Sequence, residues 1–93
     1  METGSATFQI SDEAIAQEVG GELIVLDMAT ERYLAVDRVG RKIWGLLGEG
    51  RTMTAVVDEM TALYGIDRTR IEQDVAAFVA QLADLGLGTL AAG

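Results

Sequence analysis

The feature that most constrains the fold is a change of hydrophobic period at Asp37. Before Asp37, the residues Arg32 to Val36 alternate in the manner of a short strand. After it, Val39, Ile43 and Leu46 recur at the spacing of one helical face. Asp37 is suited to begin that helix, because its carboxylate can accept hydrogen bonds from the amides of the first turn. The sequence therefore predicts a strand that leads directly into a helix.

Two further strands are predicted before this junction. Ala6 to Ile10 and Glu22 to Met28 have the apolar and β-branched patterns of strands. The segment Ser11 to Gly21 between them is polar and acidic, and we expect a turn-like connection there. Ala29 to Glu31 is short enough to be a hairpin loop between the last two strands. Together these patterns predict a three-stranded antiparallel meander.

Two further helices are predicted after the junction. The second can begin with Thr52 or Thr54 as its cap and ends at Tyr64-Gly65. Asp67 is expected to cap the third helix, which has the best-formed apolar face and closes at Gly86 and Gly88, before a tail formed by Ala91-Ala92-Gly93. The predicted fold class is α+β, a three-stranded antiparallel sheet followed by three helices, as in winged-helix-like proteins.

The length of 93 residues predicts a single domain over residues 1–93, with a core at about residues 6–88 and flexible ends. Residues 1–22 contain no signal-peptide pattern. No apolar run approaches the roughly 20 residues that a membrane-spanning helix needs. We therefore expect a cytoplasmic protein that does not bind membranes.

The residue types exclude most catalytic machinery. The chain has no His and no Cys, which excludes disulfides, thiolate metal sites and histidine-based triads. Acidic pairs such as Asp58-Glu59 are neighbours in sequence, and neighbouring residues of a helix do not face each other. We expect a protein that is not an enzyme and that holds no metal and no cofactor.

The net charge of −8 is unevenly distributed and argues against nucleic-acid binding. Residues 1–31 hold seven acids and no base, whereas residues 32–42 hold four bases and one acid. The basic segment is either a solvated helix start or a surface for an acidic partner. A winged-helix DNA regulator would read DNA with the third helix. That helix has four acidic residues and only two basic ones, Arg68 and Arg70. We expect no nucleic-acid partner and keep the acidic regulator as an alternative.

One carboxylate interrupts the apolar stripe of the third helix. Asp74 lies at helical spacing between Ile71, Val75 and Phe78. It is either a solvated residue at the flank of the stripe or the border of a groove, where it accepts a hydrogen bond from a bound chain.

An ordered set of short motifs gives the chain a family resemblance. It resembles the PqqD-like proteins, which recognise peptides in the modification pathways of ribosomally made peptides. Among these it is most similar to the small, discrete leader-binding proteins of lasso-peptide clusters. The motifs are Arg32-Tyr33, Val36-Asp37, Gly40, Ile43-Trp44, Leu46-Leu47, Gly50-Arg51-Thr52, Asp74-Val75 and Leu85-Gly86-Leu87.

The resemblance implies a binding mode for a peptide. The leader of a precursor peptide would add as a further strand along the third strand, over the third helix. Strand addition draws its affinity from main-chain hydrogen bonds and its specificity from side-chain pockets. Alternation separates Tyr33 and Ala35 from Arg32, Leu34 and Val36, and leaves open which set faces the groove. The predicted peptide-binding residues are Arg32, Tyr33, Leu34, Ala35, Val36, Ile71, Asp74, Val75 and Phe78.

The resemblance also implies partners and an alternative pathway. The expected partners are the precursor leader peptide, a separate leader protease and a cyclase. The alternative is a similar peptide chaperone in another pathway, such as one that handles the precursor of a quinone cofactor. The chain departs from the family pattern at Asp37, where Asn is usual, and at Glu31, where Gly is frequent.

Overall fold

The computed structural model describes residues 5–91. The expectation of flexible ends therefore lies outside the described residues for 1–4 and 92–93. In chain order the elements are β1 (Thr7–Ile10), β2 (Ala14–Val19), β3 (Glu22–Asp27), β4 (Tyr33–Val36), α1 (Arg38–Gly48), α2 (Met53–Tyr64), α3 (Arg68–Asp84) and β5 (Gly88–Ala91).

The larger sheet is three-stranded and antiparallel, in the order β2-β3-β4. A sheet of this kind was predicted, but the expected connection over Ser11 to Gly21 is wrong, because β2 lies within it. Gly20 and Gly21 have φ angles of 60° and 88°, as a tight two-residue hairpin turn requires, and this turn pairs Val19 with Glu22. The polar β2 therefore pairs with β3 along its whole length.

The first predicted strand belongs to a second sheet rather than to the meander. β1 pairs with β5 in the register Thr7–Ala91 to Ile10–Gly88. Ala91, predicted to begin a tail, is therefore the last residue of a strand, and the rest of the predicted tail, residues 92–93, lies outside the described residues. Two further main-chain bonds fix this sheet: Ser11 N donates to Leu87 O at 2.9 Å, and Met53 N donates to Ala6 O at 2.9 Å.

Capping hydrogen bonds are present at two of the three helix starts for which a cap was predicted. Asp37 accepts a hydrogen bond from Gly40 N at 2.8 Å, and Thr52 accepts one from Ala55 N at 3.1 Å. Asp67 occupies the cap position of α3, but its side chain makes no capping hydrogen bond, which corrects that expectation. α2 ends at Tyr64, before Gly65, as predicted.

One core joins both sheets to the three helices. The inner face of the larger sheet contributes Leu23, Val25 and Val36, and β1 contributes Phe8. From the helices, the fully buried side chains are Ile43, Leu47, Val56, Met60 and Leu82. Since burial of apolar surface provides most of the folding free energy, this cluster is what fixes β4 beside α1.

Candidate functional site

β4 is an edge strand. It pairs with β3 on one side, and within residues 5–91 no strand pairs with its other side. An edge of this kind presents unpaired amides and carbonyls in a row, which is the template for strand addition.

The hydrogen-bond alternation identifies which residues of β4 point to the free edge. Asp27 N donates to Arg32 O at 2.8 Å, so these two residues form a hydrogen-bonded pair of the antiparallel ladder. Hydrogen-bonded and non-hydrogen-bonded pairs alternate along such a ladder, and Tyr33 and Ala35 fall in the non-hydrogen-bonded positions. The N–H and C=O groups of Tyr33 and Ala35 therefore point away from β3. The carbonyl of Arg32 is already bonded to β3.

The side chains of β4 divide between two faces. Val36 is buried and Leu34 is half-buried against the core, whereas Tyr33 and Ala35 are exposed on the opposite side. The pattern of alternation left open which set faces inward, and the structure assigns Leu34 and Val36 to the inner face.

A shallow depression of about 300 Å³ lies between the start of α1 and the middle of α3. Its position next to β4 follows from Gly40. A Cβ atom at Gly40 would stand 2.7 Å from Cγ1 of Val36 and 3.1 Å from Cε1 of Phe78. The end of β4 and the Phe78 ring thus meet at this glycine. The depression is lined by Asp37, Val39, Gly40, Ile43, Asp74, Ala77, Phe78 and Gln81.

The four residues of α3 that were predicted to bind the peptide fall into two groups. Asp74 and Phe78 line the depression. Ile71 and Val75 are each only 3% exposed, belong to the core and do not line the depression. Sequence reasoning missed Ala77 and Gln81, which lie three and seven positions after Asp74 on the same side of the helix. The spacing from Asp74 was the signal that could have identified them.

A larger cavity, of about 570 Å³, lies on the other flank of α3. It runs between α2, α3 and β5, with Met53, Ala76 and Leu90 among its lining residues. None of its lining residues belongs to β4 or α1. Of the two, the smaller depression is the one next to the end of β4, because Asp37 directly follows that strand and Gly40 packs closely against Val36.

Few charges act at the depression. Asp74 forms an exposed ion pair with Arg70, whose Nε lies 3.8 Å from Oδ2. Exposed pairs at this distance contribute little to stability, so the Asp74 carboxylate is available to accept another hydrogen bond. In the basic segment, Arg41 pairs with Glu18, whereas Arg38 and Lys42 make no ion pair within residues 5–91. These two side chains are exposed on α1.

The hairpin that presents β4 is held by a buried carboxylate. Asp27 accepts hydrogen bonds from Ala29 N at 3.0 Å and from Thr30 Oγ1 at 3.1 Å. Glu31 then has a φ angle of 62°, in the left-handed region that favours glycine. The departure from the family pattern at Glu31 thus coincides with a strained backbone position.

Residues 22–87, most of the chain, match the family of coenzyme PQQ synthesis protein D (PqqD). The chain belongs to the PqqD family. The matched residues include the β3–β4 hairpin and all three helices.

Curated relatives of this PqqD-family chain are described as PqqA binding protein. Those from Rhodopseudomonas palustris strains BisB5 and TIE-1 are each 38% identical over 62 residues, which is 67% of this chain. The match covers 61% of each relative. The chain therefore spans less than two thirds of the length of these relatives.

Two solved structures share the fold. TbiB1 in complex with the TbiA(beta) leader peptide is 35% identical, with a TM-score of 0.78 over 86% of this chain and 93% of that one. Lasso peptide synthetase B1 complexed with the leader peptide has a TM-score of 0.80 over 88% of this chain and 96% of that one, at 24% identity. The PqqD-like architecture predicted from sequence is confirmed.

Among residues 5–91, no group of three or more acidic side chains is placed to hold a metal ion. Over the same part of the chain, no helix has the length and apolar character to cross a membrane.

Proposed function

We propose that this chain is a non-catalytic, single-domain recognition protein that binds the leader of a ribosomally made precursor peptide. The leader adds as a strand along the free edge of β4 and is delivered to a separate leader protease and a cyclase. The pathway we propose is lasso-peptide biosynthesis, in the cytoplasm, where ribosomal precursors are made.

The observation that carries this proposal is the free edge of β4 beside the depression between α1 and α3. Main-chain groups of Tyr33 and Ala35 would bond the backbone of an extended guest. Phe78 offers apolar contact and Asp74 offers an acceptor along the helical side. The likeness to TbiB1 in complex with a leader peptide, at 35% identity, supports the same use of this edge here.

The expected affinity follows from the same geometry. A leader that becomes ordered on binding loses conformational freedom, which offsets part of its interaction free energy. Few main-chain bonds and one shallow depression favour dissociation constants in the micromolar to nanomolar range, roughly 10⁻⁶ to 10⁻⁹ M.

The test is a titration of the purified protein with a fluorescently labelled lasso leader peptide. Binding should be saturable, and it should be weakened at least tenfold by Phe78→Glu, because the charge enters the depression. Ala80→Glu is the matched control on the opposite flank of α3, where it lines the other cavity, and should bind like wild type. Val75→Glu should instead lower the melting temperature, because Val75 is buried. Equal affinity of folded Phe78→Glu and wild type would contradict the proposed site.

A second candidate is a peptide chaperone of a quinone-cofactor pathway. It is favoured by the curated relatives described as PqqA binding protein, at 38% identity. A parallel titration with the quinone-cofactor precursor peptide separates the two pathways, since the cognate leader should bind more tightly. Tighter binding of the quinone precursor would overturn the lasso assignment while leaving strand addition intact.

The winged-helix alternative gains no support at α3. The exposed positions of this helix include Glu72, Asp74 and Asp84, and Arg68 is paired with Asp58. A helix with these charges repels phosphates. A mobility-shift assay at low salt should show no retarded DNA.

A further inference from the structure

The outer face of the three-stranded sheet is unusually apolar. Pairing and alternation put two cross-strand rows on this side, Ile15–Leu26–Tyr33 and Gln17–Ile24–Ala35, with Val19 and Glu22 beside the turn. Apart from Glu22, no residue of β2, β3 or β4 on this face is charged. We call these eight residues the outer face.

The outer face is open to solvent. Tyr33 is 65% exposed, Val19 58% and Ile15 36%, whereas Ile24 and Leu26 are half-buried and lie outside the core cluster. An antiparallel sheet with one side on the core normally has polar residues on the other side. Contiguous apolar surface left in water marks an interaction site. The outer face therefore lacks a partner within residues 5–91.

The outer face continues into the free edge of β4. A strand added at this edge would enlarge the sheet and would direct every second side chain to the same side as Tyr33 and Ala35. The outward side chains of the guest and the outer face would then form one surface. A protein seated there would contact this chain and its bound peptide at the same time.

We propose that the outer face docks the enzyme that processes the bound leader, through an apolar, weakly charged surface of that enzyme. This inference rests on the proposed function. A second copy of this chain is the less favourable occupant, because it would bring another net charge of −8 to the interface. The continuity with the peptide edge explains why docking on this face would select the loaded protein.

The experiment uses charged substitutions on β2, the strand farthest from β4. Ile15→Lys together with Val19→Lys places two charges on the outer face, and Val19→Lys alone is the milder variant. Ala16→Lys is the matched control, since Ala16 is exposed on the same strand but points to the opposite side. Melting temperatures establish that all three variants are folded.

Two readouts separate this inference from the proposed function. The affinity for labelled leader peptide should stay within twofold of wild type in every variant. The rate at which the leader protease of the same gene cluster cleaves the precursor, in the presence of this chain, should fall at least tenfold in the double variant, less in Val19→Lys, and not in Ala16→Lys.

Three results would overturn a claim. Full stimulation of cleavage by the folded double variant would overturn docking on the outer face. If the wild-type protein sediments as a dimer and the double variant as a monomer, the outer face would instead be an interface with a second copy. Absence of leader binding by the wild-type protein would overturn the proposed function itself.

Discussion

The two sheets of this chain differ in how far their strand edges are bonded to the rest of the fold. β1 and β5 are joined through residues from opposite ends of the chain and are fastened to their surroundings by Ala6, Ser11 and an isolated bridge between Thr7 and Thr52. The sheet of β2, β3 and β4 is formed by neighbouring hairpins, and its β4 edge is unpaired within residues 5–91. The first sheet closes the fold, and the second presents an edge.

This difference teaches where the molecule can be altered. In the β1–β5 sheet, a Cβ atom added at Gly88 meets the backbone of Gln9, so this change should act on stability. At β4 a change on the free side should act on peptide binding, and the same change on the paired side should act on stability. Five substitutions, grouped in four comparisons, test this division in order of decreasing expected effect.

The largest effect is expected from Gly88→Ala in the β1–β5 sheet. The new Cβ would stand 2.5 Å from Gln9 O and would also overlap the Phe8 ring. Backbone atoms cannot move aside as the end of a flexible side chain can. The free energy of unfolding should therefore fall by about 3 kcal/mol. Denaturant unfolding measures this, with the exposed Thr89→Ala as control, and a loss below about 0.5 kcal/mol would contradict the close approach.

Proline substitutions at two neighbouring positions of β4 test the difference between its paired side and its free side. Leu34→Pro removes an N–H that bonds to β3 together with a half-buried side chain, and should lower the free energy of unfolding by about 2–3 kcal/mol. Ala35→Pro removes an N–H on the free edge, where proline is tolerated, and should leave most of the stability.

Ala35→Pro should instead weaken leader binding by about tenfold, the value of one lost main-chain bond of about 1 kcal/mol or slightly more. Unfolding curves and leader titrations on both variants make the comparison. Equal stability of the two would contradict the hydrogen-bond alternation inferred from Asp27 and Arg32.

Gly40→Ala should affect both properties moderately. Its Cβ would overlap Cγ1 of the buried Val36 at 2.7 Å, so that side chain must move, and it would press on Phe78 at 3.1 Å. We therefore expect a loss of about 1–2 kcal/mol in stability. The displaced Phe78 ring should also narrow the depression and weaken leader binding severalfold. Gly45→Ala in the same helix meets no atom within 4 Å and should raise stability by about 0.5–1 kcal/mol. Similar melting temperatures of the two variants would disprove the contact.

The smallest effect is expected from Glu31→Gly, and it is stabilising. Glycine adopts the positive φ of 62° without strain, but it also has more freedom in the unfolded chain. The net increase in the free energy of unfolding should be about 0.5–1 kcal/mol. Thr30→Gly in the same loop loses a hydrogen bond to Asp27 and should destabilise. A melting temperature of Glu31→Gly below that of wild type would argue against strain at this hairpin.

Local patterns predicted the parts of the fold that local forces determine. The β3–β4 hairpin, the cap at Asp37 and the end of α2 before Gly65 follow from short-range signals. β2 was missed because Gln17 and Glu18 interrupt its apolar pattern, and such an exposed strand depends on pairing with β3. The pairing of β1 with β5 has no local signal, since it joins residues at opposite ends of the sequence.

The sequence likewise predicted only part of the candidate site. The resemblance led to β4 and α3, and periodicity gave the stripe through Asp74 and Phe78. Periodicity alone does not tell which flank of a helix is covered, and so Val75 and Ile71, which are buried, were grouped with Phe78. The role of Gly40 depends on a tertiary contact with Phe78, thirty-eight positions later in the sequence.

The pairing of Thr7 with Ala91 has an architectural consequence. Because the first and last described strands lie side by side, the chain enters and leaves the described fold at neighbouring positions. Units with neighbouring ends tolerate being spliced into a host loop or cut and rejoined at a new site. This scaffold is accordingly suited to be carried as a cassette by a larger enzyme without rearrangement of its strands.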